Sequence, residues 1–252
     1  MTRRQLQDLS QLTRRSARQA QGRFLVEGVR SVEAAVDGGA PLEAVLVSHQ
    51  AAEQPRVDAF LHRAADAGAA VQRLADHQVA RVGDARSSQG VVAVARGVVR
   101  SALPDGAGRV LLLDGVQDPG NVGTLVRTAA WFGLSAVVAD HHSADFESPK
   151  TVRAAMGGLW DLALVRVPSL GYVLDALEGR ERWGADLGGS PLAGWSPPAD
   201  GVLVLGSEAH GLSADVASRL TGRVTIPGGG GGGAESLNVT VAGGILLARW
   251  AG

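Results

Sequence analysis

The sequence has no cysteine, a single lysine (Lys150) and few aromatic residues. The lack of cysteine excludes disulfide bridges and thiolate metal ligands, and it fits a cytoplasmic protein. The aromatic residues, 5 Trp, 4 Phe and 1 Tyr spread over both halves of the chain, argue against a platform that stacks single-stranded bases. No apolar run approaches the ~18 residues of a membrane span and no secretory signal opens the chain, so we expect a soluble protein without a membrane partner.

Positive charge is concentrated at the N-terminus. Residues 1–23 contain six arginines and one acid, Asp8, although the whole chain has a net charge of −1. Such a segment suits a polyanion such as RNA. An Arg-rich, acid-poor segment with Leu6, Leu9 and Leu12 is also typical of an organelle transit peptide or of a solvated first helix. The arginines that we predict to contact RNA are Arg3, Arg4, Arg14, Arg15 and Arg18.

Apolar periodicity divides the chain into two α/β parts. With 252 residues and 45% hydrophobic composition, it can form one large domain or two ordinary ones. In the first part strand-like runs (24–26, 44–47 and 90–95) alternate with helical patterns (31–36, 57–65 and 74–81). A turn-rich segment around Pro104-Asp105-Gly106 follows. We therefore predict a basic N-terminal helix over 1–22, a small α/β domain over 23–96, a linker over 97–108 and a second domain over 109–252.

The second part contains buried-strand patterns separated mostly by helical segments. This arrangement indicates a parallel sheet covered on both faces, in which ligands bind beyond the carboxyl ends of the strands. The predicted strands are 110–113, 136–138, 162–167, 183–186, 202–205 and 224–226.

Three loops rich in glycine and polar residues follow strands of this sheet. The first covers 114–124 and leads into a helix that carries Arg127, and the second covers 206–211. The third is a run of six glycines, 228–233, which leads to Ser236, a good helix N-cap residue, and an apolar helix pattern ending at Trp250. A strand, a glycine loop and a capped helix are typical of a place where backbone amides bind a ligand. We expect the three loops to form one cleft.

Common nucleotide-binding motifs fit these loops poorly. Gly120-x-x-Gly123 is not the Gly-x-Gly-x-x-Gly of a nicotinamide dehydrogenase, and its loop is too long for that tight turn. No glycine loop is followed by Lys and Ser or Thr, as a phosphate-binding P-loop requires.

The residue types would also allow a hydrolase or a metal site. A triad of Ser207, His210 and Asp140 is disfavoured because Ser207 lacks the nucleophile-elbow pattern. Asp140, His141, His142 and Asp145 form a polar cluster, but adjacent histidines lack the ligand spacing of a helix or hairpin site. We therefore expect this cluster to be an exposed loop and predict no metal.

Taken together, the three loops resemble the signature motifs of the SpoU/TrmH family of RNA ribose 2′-O-methyltransferases, within the SPOUT superfamily. The resemblance covers about residues 109–252, and Phe24-Leu25-Val26-Glu27-Gly28 adds a weaker similarity to the RNA-binding domain, similar to a ribosomal protein, of rRNA-modifying members. The matching motifs are Asn121-x-Gly123-x-x-x-Arg127-Thr128-Ala129, Leu205-Gly206-Ser207-Glu208-x-x-Gly211-Leu212 and Ile226-Pro227 with Glu235-Ser236-Leu237-Asn238-Val239, with Ser148-Pro149-Lys150-x-x-Arg153-Ala154-x-x-Gly157 between the first two.

This resemblance implies an α/β catalytic domain with a deep trefoil knot, S-adenosylmethionine as the cofactor and a homodimer formed through the catalytic domain. The small residues Ala242, Gly243 and Gly244 are compatible with close packing at such an interface, and equally with tight packing inside one chain. The added N-terminal domain favours 23S rRNA over tRNA as the substrate. A catalytically silent RNA-binding or ribosome assembly factor of the same fold is a second functional hypothesis.

The resemblance also implies roles for individual residues. Arg127 is the expected catalytic residue, and because a guanidinium stays protonated we expect it to grip a phosphate and stabilise the developing alkoxide. Asn121 would orient the ribose or a neighbouring motif, and Glu208 would hold Arg127 or an amide. Ser236 and Asn238 are divided between helix capping and active-site contacts. Expected cofactor contacts are Leu205, Gly206, Gly211, Ile226 and Leu237, and expected RNA contacts include Lys150 and Arg153.

The glycine run is the chief departure from the family pattern. Seven residues, 228–234, separate Pro227 from Glu235, where the family usually has five. The longer loop without side chains is expected to be more mobile before the cofactor binds, which would change cofactor affinity more than the class of reaction.

Overall fold

The computed structural model describes residues 1–83, 89–229 and 235–252. These residues form two compact units: Met1–Val98 with Asp145–Asp161, and Val99–Ala144 with Leu162–Gly252. The division after Val98 lies inside the predicted linker. Asp145–Asp161 differs from the sequence-based limits, because it packs with the first unit although it lies in the second half of the chain.

In the first unit, helices surround a four-stranded mixed sheet of the described residues. The strand order is β1-β4-β2-β3, with β1–β4 and β4–β2 antiparallel and β2–β3 parallel. The strands are β1 (Arg23–Glu27), β2 (Leu42–Ser48), β3 (Ala70–Leu74) and β4 (Val91–Arg96). The helices are α1 (Arg3–Ser10), α2 (Arg15–Gln21), α3 (Val29–Asp37), α4 (His49–Ala52), α5 (Pro55–Asp66) and α6 (Asp76–Val79), with a 3-10 turn at Gln11–Thr13.

The basic N-terminal segment is an integral part of this unit. Thr2 and Gln5 form a capping box that starts α1. Leu6, Leu9 and Leu12 are buried in the same apolar cluster as residues of the sheet. The leucine spacing therefore belongs to an amphipathic helix that docks on the core, while Arg3, Arg4, Arg14 and Arg15 are exposed.

Strand β3 was not predicted, and the helical pattern over 74–81 was largely wrong. The chain forms a strand up to Leu74 and then only the short helix α6. Strand β3 lies at the edge of the sheet, where only Leu74 is buried and the other positions are partly or fully exposed. An edge strand needs little apolar sequence, so its periodicity is weak.

Arg18 is a correction to the predicted RNA contacts. Its side chain is only 4% exposed, and it donates to the carbonyls of Leu12 and Thr13 at 2.9 Å and to the Asp145 carboxylate at 2.6 Å. Nearby, Arg153 donates to the buried Glu27 carboxylate at 3.1 Å. Both arginines attach the segment Asp145–Asp161 to the first unit, and a buried Arg18 is not available to RNA.

The second unit confirms the predicted parallel sheet. Every strand pairing among its described residues is parallel, in the order β10-β8-β9-β5-β6-β7. The core between sheet and helices is aliphatic, with Leu112, Val138 and Val204 completely buried. The strands are β5 (Val110–Asp114), β6 (Ala136–Ala139), β7 (Ala163–Arg166), β8 (Glu181–Pro191), β9 (Gly201–Gly206) and β10 (Gly222–Thr225).

Short helices connect these strands, and two longer ones pack together beside the sheet. The longer pair is α7 (Pro119–Trp131) and α11 (Val239–Ala251), which contact each other. The others are α8 (Pro149–Ala155), which belongs to the first unit, α9 (Leu170–Ala176) and α10 (Ala214–Ala217), with a 3-10 turn at Leu192–Gly194. No helix of the described residues is long and apolar enough to cross a membrane.

Removing the Asp145 carboxylate should destabilise the first unit, because the buried Arg18 guanidinium would lose its counter-charge. We expect Asp145→Ala to lower the free energy of unfolding by about 3–5 kcal/mol, the usual cost of deleting one partner of a buried ion pair. Urea unfolding followed by circular dichroism measures this change. Asp161→Ala removes an exposed carboxylate of the same segment and should cost less than about 0.5 kcal/mol. Equal unfolding midpoints for the two variants would contradict the role given to Asp145.

Candidate active site

Two of the three predicted loops begin side by side at the carboxyl edge of the sheet. Strands β5 and β9 are neighbours, and their last residues, Asp114 and Gly206, are paired. The third loop follows β10, which is separated from β9 by β8. The topology therefore brings the loops to one edge, where parallel sheets bind ligands.

The second and third loops line one cleft with a volume of about 970 Å³. Its apolar walls come from strand ends and from α11, and they include Leu205, Ile226, Val239 and Leu246. All five predicted cofactor contacts line it: Leu205, Gly206, Gly211, Ile226 and Leu237. Of the glycine run, Gly228 and Gly229 line the cleft, and residues 230–234 lie outside the described part of the chain, so the expected effect of the longer loop stays a prediction.

Gly206 is required by the close approach of two backbone segments. A Cβ atom at this position would overlap the backbone of Gly211 and Leu212. The loop between them is closed by two hydrogen bonds, from Ser207 N to Gly211 O (3.0 Å) and from Gly211 N to Ser207 O (2.8 Å). The result is a small, tightly closed loop that carries Glu208 and His210 along the cleft.

Strand β8 supplies a part of the cleft that the sequence did not indicate. Its pairing with β10 jumps from Gly184 to Ser190, so residues 185–189 leave the ladder. Asp186 and Leu187 of this excursion line the cleft. Gly189 lies just before the pairing with β10 resumes, and a Cβ atom at this position would lie 2.7 Å from the backbone of Arg223 and Val224. The pair Gly188-Gly189 inside a strand pattern was the available signal for a bulge.

The first loop is tied to the second through two polar side chains. Asp118 caps α7 by accepting from the amides of Gly120 and Asn121. The Asn121 side chain then donates from Nδ2 to Glu208 Oε1 at 2.5 Å. Glu208 therefore holds Asn121, a residue of another motif, and not Arg127.

Arg127 lies on the exposed side of α7. Helical geometry places Arg127 and Trp131, which are four residues apart, on one exposed face, with the buried Leu125 on the opposite side of the helix. Arg127 is exposed and makes no hydrogen bond or ion pair with any of the described residues. A guanidinium that has no partner among the described residues is available to an anionic ligand.

The start of α11 corrects one prediction. Asn238, not Ser236, is the N-cap residue, and its side chain accepts from the Thr240 amide at 2.9 Å. Ser236 is exposed and lines the cleft. In the following helix Gly243 packs inside the unit, because a Cβ atom there would meet Leu125 and Leu205, whereas Gly244 faces open space.

Asp114 was not singled out by the sequence. It is a buried carboxylate at the end of β5, and its Oδ2 accepts from the Ser213 amide at 2.6 Å. Burial raises the pKa of Asp114 above its ordinary value, the hydrogen bonds from Ser213 lower it, and the nearby charges of Asp140 and Asp215 raise it further. An aspartate ending a buried apolar strand was the signal that could have identified it.

The cluster after β6 is more compact than its sequence spacing suggested. One potential ligand atom from each of Asp140, His141 and His142 lies within 4.8 Å of the others. Asp140 Oδ1 already accepts from Gly115 N and from Ser143 N and Oγ. His141 Nδ1 lies 2.6 Å from the Pro168 carbonyl oxygen. Protein partners therefore account for two of these side chains, and the prediction of no metal stays a prediction.

Family models match both halves of the chain. Residues 108–248 match the SpoU rRNA Methylase family, and residues 3–93 match an MRM3-like substrate binding domain. The first match spans more than half of the sequence and contains all three loops of the candidate site.

Relatives match along nearly the whole length. A Bacillus subtilis protein named 23S rRNA (guanosine(2553)-2′-O)-methyltransferase RlmP is 32% identical, over 96% of this chain and 94% of that protein. A TrmH-family putative RNA methyltransferase from Porphyromonas gingivalis has 33% identity and a TM-score of 0.84, covering 99% and 98% of the two chains. The Streptomyces viridochromogenes SpoU methyltransferase AviRb, solved in complex with AdoMet, has 28% identity and a TM-score of 0.85, covering 100% and 97%. By sequence and by fold, this chain belongs to the SpoU rRNA methylase family.

Proposed function

We propose that this protein transfers a methyl group from S-adenosylmethionine to a ribose 2′-hydroxyl of 23S rRNA. The observation that carries the proposal is the joining of the three motifs at one sheet edge. Glu208, which lines the cleft of the second and third loops, accepts from Asn121 on α7, and the same helix carries Arg127, which has no partner among the residues that the structure describes. A catalytically silent assembly factor would have no need for this arrangement.

The cleft fits the cofactor in size and chemistry. Its volume of about 970 Å³ is at the upper end of the range for small-molecule sites. Leu205, Ile226 and Leu246 offer apolar surface to the adenine ring, and Gly206 keeps the loop backbone close to it. When bound, S-adenosylmethionine supplies the activated methyl group. The residues around it hold it in place and limit its contact with water.

Arg127 is the proposed catalytic residue. Because a guanidinium stays protonated at neutral pH, Arg127 acts as a cation that holds an RNA phosphate and stabilises negative charge developing on the ribose oxygen. The Asn121–Glu208 hydrogen bond keeps α7 in register with the cleft, and this fixes the position of Arg127 relative to the methyl donor. Ser236, which is exposed and lines the cleft, and Asn238, the N-cap residue of α11, are the proposed ribose contacts.

The first unit is the proposed RNA-binding domain. Arg3, Arg4, Arg14 and Arg15 offer exposed positive charge from its N-terminal helices, and Lys150 is exposed on α8. Arg153 is a weaker candidate because it is paired with Glu27, and Arg18 is excluded by burial. The relative named for 23S rRNA matches over both units, which supports rRNA over tRNA and a cytoplasmic location.

We also propose a homodimer through the second unit. On α11, Val241 and Ile245 lie one helical turn apart and are 49% and 37% exposed. Trp131, on the adjacent helix α7, is 84% exposed. Val241 and Ile245 therefore form an exposed apolar strip on α11, as is typical of an interface. The proposal includes a trefoil knot around the cofactor loops, which a crystal structure that traces residues 230–234 would test.

The decisive experiment supplies labelled S-adenosylmethionine and separate pools of rRNA and tRNA, and then maps the ribose methylation. We expect label in 23S rRNA from wild-type protein. Arg127→Ala should abolish transfer, a loss of at least about 100-fold, while cofactor affinity measured by calorimetry changes little. Arg100→Ala removes an exposed arginine of the same unit away from the cleft and should leave turnover intact.

Wild-type turnover in Arg127→Ala would remove this arginine from the mechanism. Failure of the wild-type protein to bind S-adenosylmethionine would favour the silent assembly factor. Label in tRNA alone would replace the proposed substrate.

The exposed N-terminal arginines should contribute to RNA binding without affecting the chemical step. We expect Arg14→Ala/Arg15→Ala to raise KM for rRNA at unchanged kcat, and to reduce the log–log salt slope by about one for each phosphate that the variant no longer binds. The control is Arg56→Ala/Arg63→Ala, because these exposed arginines are paired with Glu33 and Asp37. An identical salt dependence for both double variants would argue against this RNA surface.

The proposed dimer predicts that a charge on α11 separates the subunits. Ile245→Glu should convert a dimer to a monomer in sedimentation equilibrium, because it places a carboxylate in an apolar interface. Tyr172→Glu, which changes an exposed aromatic residue on α9, should leave the dimer intact. A monomeric wild-type protein at micromolar concentration would rule out this interface.

A further inference from the structure

Asp114 connects the central strand of the second unit to the loop that lines the cleft. It ends β5, is 8% exposed, and its Oδ2 accepts from Ser213 N at 2.6 Å. Ser213 directly follows the loop 206–212, whose residues line the cleft, and it caps α10. The carboxylate therefore lies where the chain leaves that loop.

The loop has three attachment points on the described structure. Two backbone hydrogen bonds between Ser207 and Gly211 close the base of the loop. The Glu208 carboxylate accepts a hydrogen bond from the Asn121 side chain. The third point is the bond between Asp114 and Ser213, which fixes the segment after Leu212. Without that bond the Ser213 amide would lose its acceptor, and the backbone that packs against Gly206 would be free to move away.

Burying the Asp114 carboxylate lowers the stability of the folded protein at neutral pH. Burial raises the pKa of Asp114, which means that its charged form is disfavoured in the folded protein. A group with a raised folded pKa makes the protein less stable at neutral pH than at a pH below that pKa. The hydrogen bond from Ser213 offsets part of this cost, because it lowers the pKa of Asp114.

We propose that Asp114 is a positioning residue for the methyl donor, acting through Ser213 to hold the loop 206–212 in its cofactor-binding form. The proposal rests on the proposed function. Asp114 does not line the cleft, so it affects the cofactor only through the loop. Asp140 fixes the first loop in a similar way by accepting from Gly115 N, so Asp114 at the end of β5 and Asp140 directly after β6 each anchor a motif loop.

The test compares cofactor affinity and thermal stability in two variants. Asp114→Ala removes the acceptor, and we expect the Kd for S-adenosylmethionine, measured by calorimetry well below the melting temperature, to rise about tenfold or more. Asp114→Asn keeps an acceptor oxygen for Ser213 and should bind within about threefold of wild type, with a melting temperature equal to or above it. Asp105→Ala, which removes an exposed carboxylate of the same unit, is the control and should match wild type in both measurements.

A second pair of variants keeps the test decisive if Asp114→Ala does not fold. Ser213 has φ −64°, the value that proline requires, so Ser213→Pro removes the amide donor while its own φ is kept. Ser213→Pro should weaken cofactor binding as Asp114→Ala does. Ser213→Ala keeps the backbone amide that donates to Asp114, so it should bind the cofactor as wild type does. Hydrogen exchange over residues 207–213 should increase in Ser213→Pro while exchange in β5 and β6 stays as in wild type.

Three outcomes would overturn the proposal. They are wild-type affinity in Asp114→Ala, wild-type affinity in Ser213→Pro, and a loss in Asp114→Asn as large as that in Asp114→Ala. Each applies where the wild-type protein binds S-adenosylmethionine. A wild-type protein that does not bind the cofactor contradicts the proposed function itself, so the two failures are distinguishable.

Discussion

The pairing of β5 with β9 in the middle of the parallel sheet is the constraint on which the site depends. It sets Asp114 opposite Gly206, so that two motif loops leave the sheet side by side. Both strands are completely or almost completely buried along 110–114 and 201–205, so both of their faces pack against other parts of the unit, and a shift by one residue would disrupt that packing. Core packing therefore determines the register, and the register determines which polar residues meet at the edge.

Arginine has two distinct uses in the second unit. Several guanidiniums donate hydrogen bonds to backbone carbonyls at the ends of helices and in loops. Arg109 donates to Trp250 and Phe132 and so joins the ends of α11 and α7. Arg166 and Arg182 donate in the same way to carbonyls of the loops next to them. The planar fork with five donors suits this task better than a lysine does. Arginine content therefore says little about RNA binding here, and Arg127 differs from these residues because its donors have no acceptor in the described part of the chain.

The sequence was sufficient where a pattern reports a local cause. Buried runs of valine and leucine predicted the parallel strands. The motifs predicted that three loops share one cleft, and the second and third loops do, whereas the first loop does not line it and is joined to the second by the Asn121–Glu208 hydrogen bond. It failed where the outcome depends on distant partners. Arg18 looked like a surface cation until the fold brought Asp145 to it, and Ser236 and Asn238 were equally good caps until packing set the start of α11. The excursion of β8 and the anchoring role of Asp114 depend on contacts between strands, which periodicity does not encode.

The position of Asp145–Asp161 in the sequence affects the order in which the two units fold during synthesis. This segment packs with the first unit but is encoded between β6 and β7 of the second. A nascent chain that ends at Val98 contains Arg18 without Asp145, so a charged side chain that the folded unit buries lacks its counter-charge. The N-terminal unit therefore completes its folding only after β5 and β6 of the second unit have been synthesised, and the two units cannot be separated by a single cut in the chain.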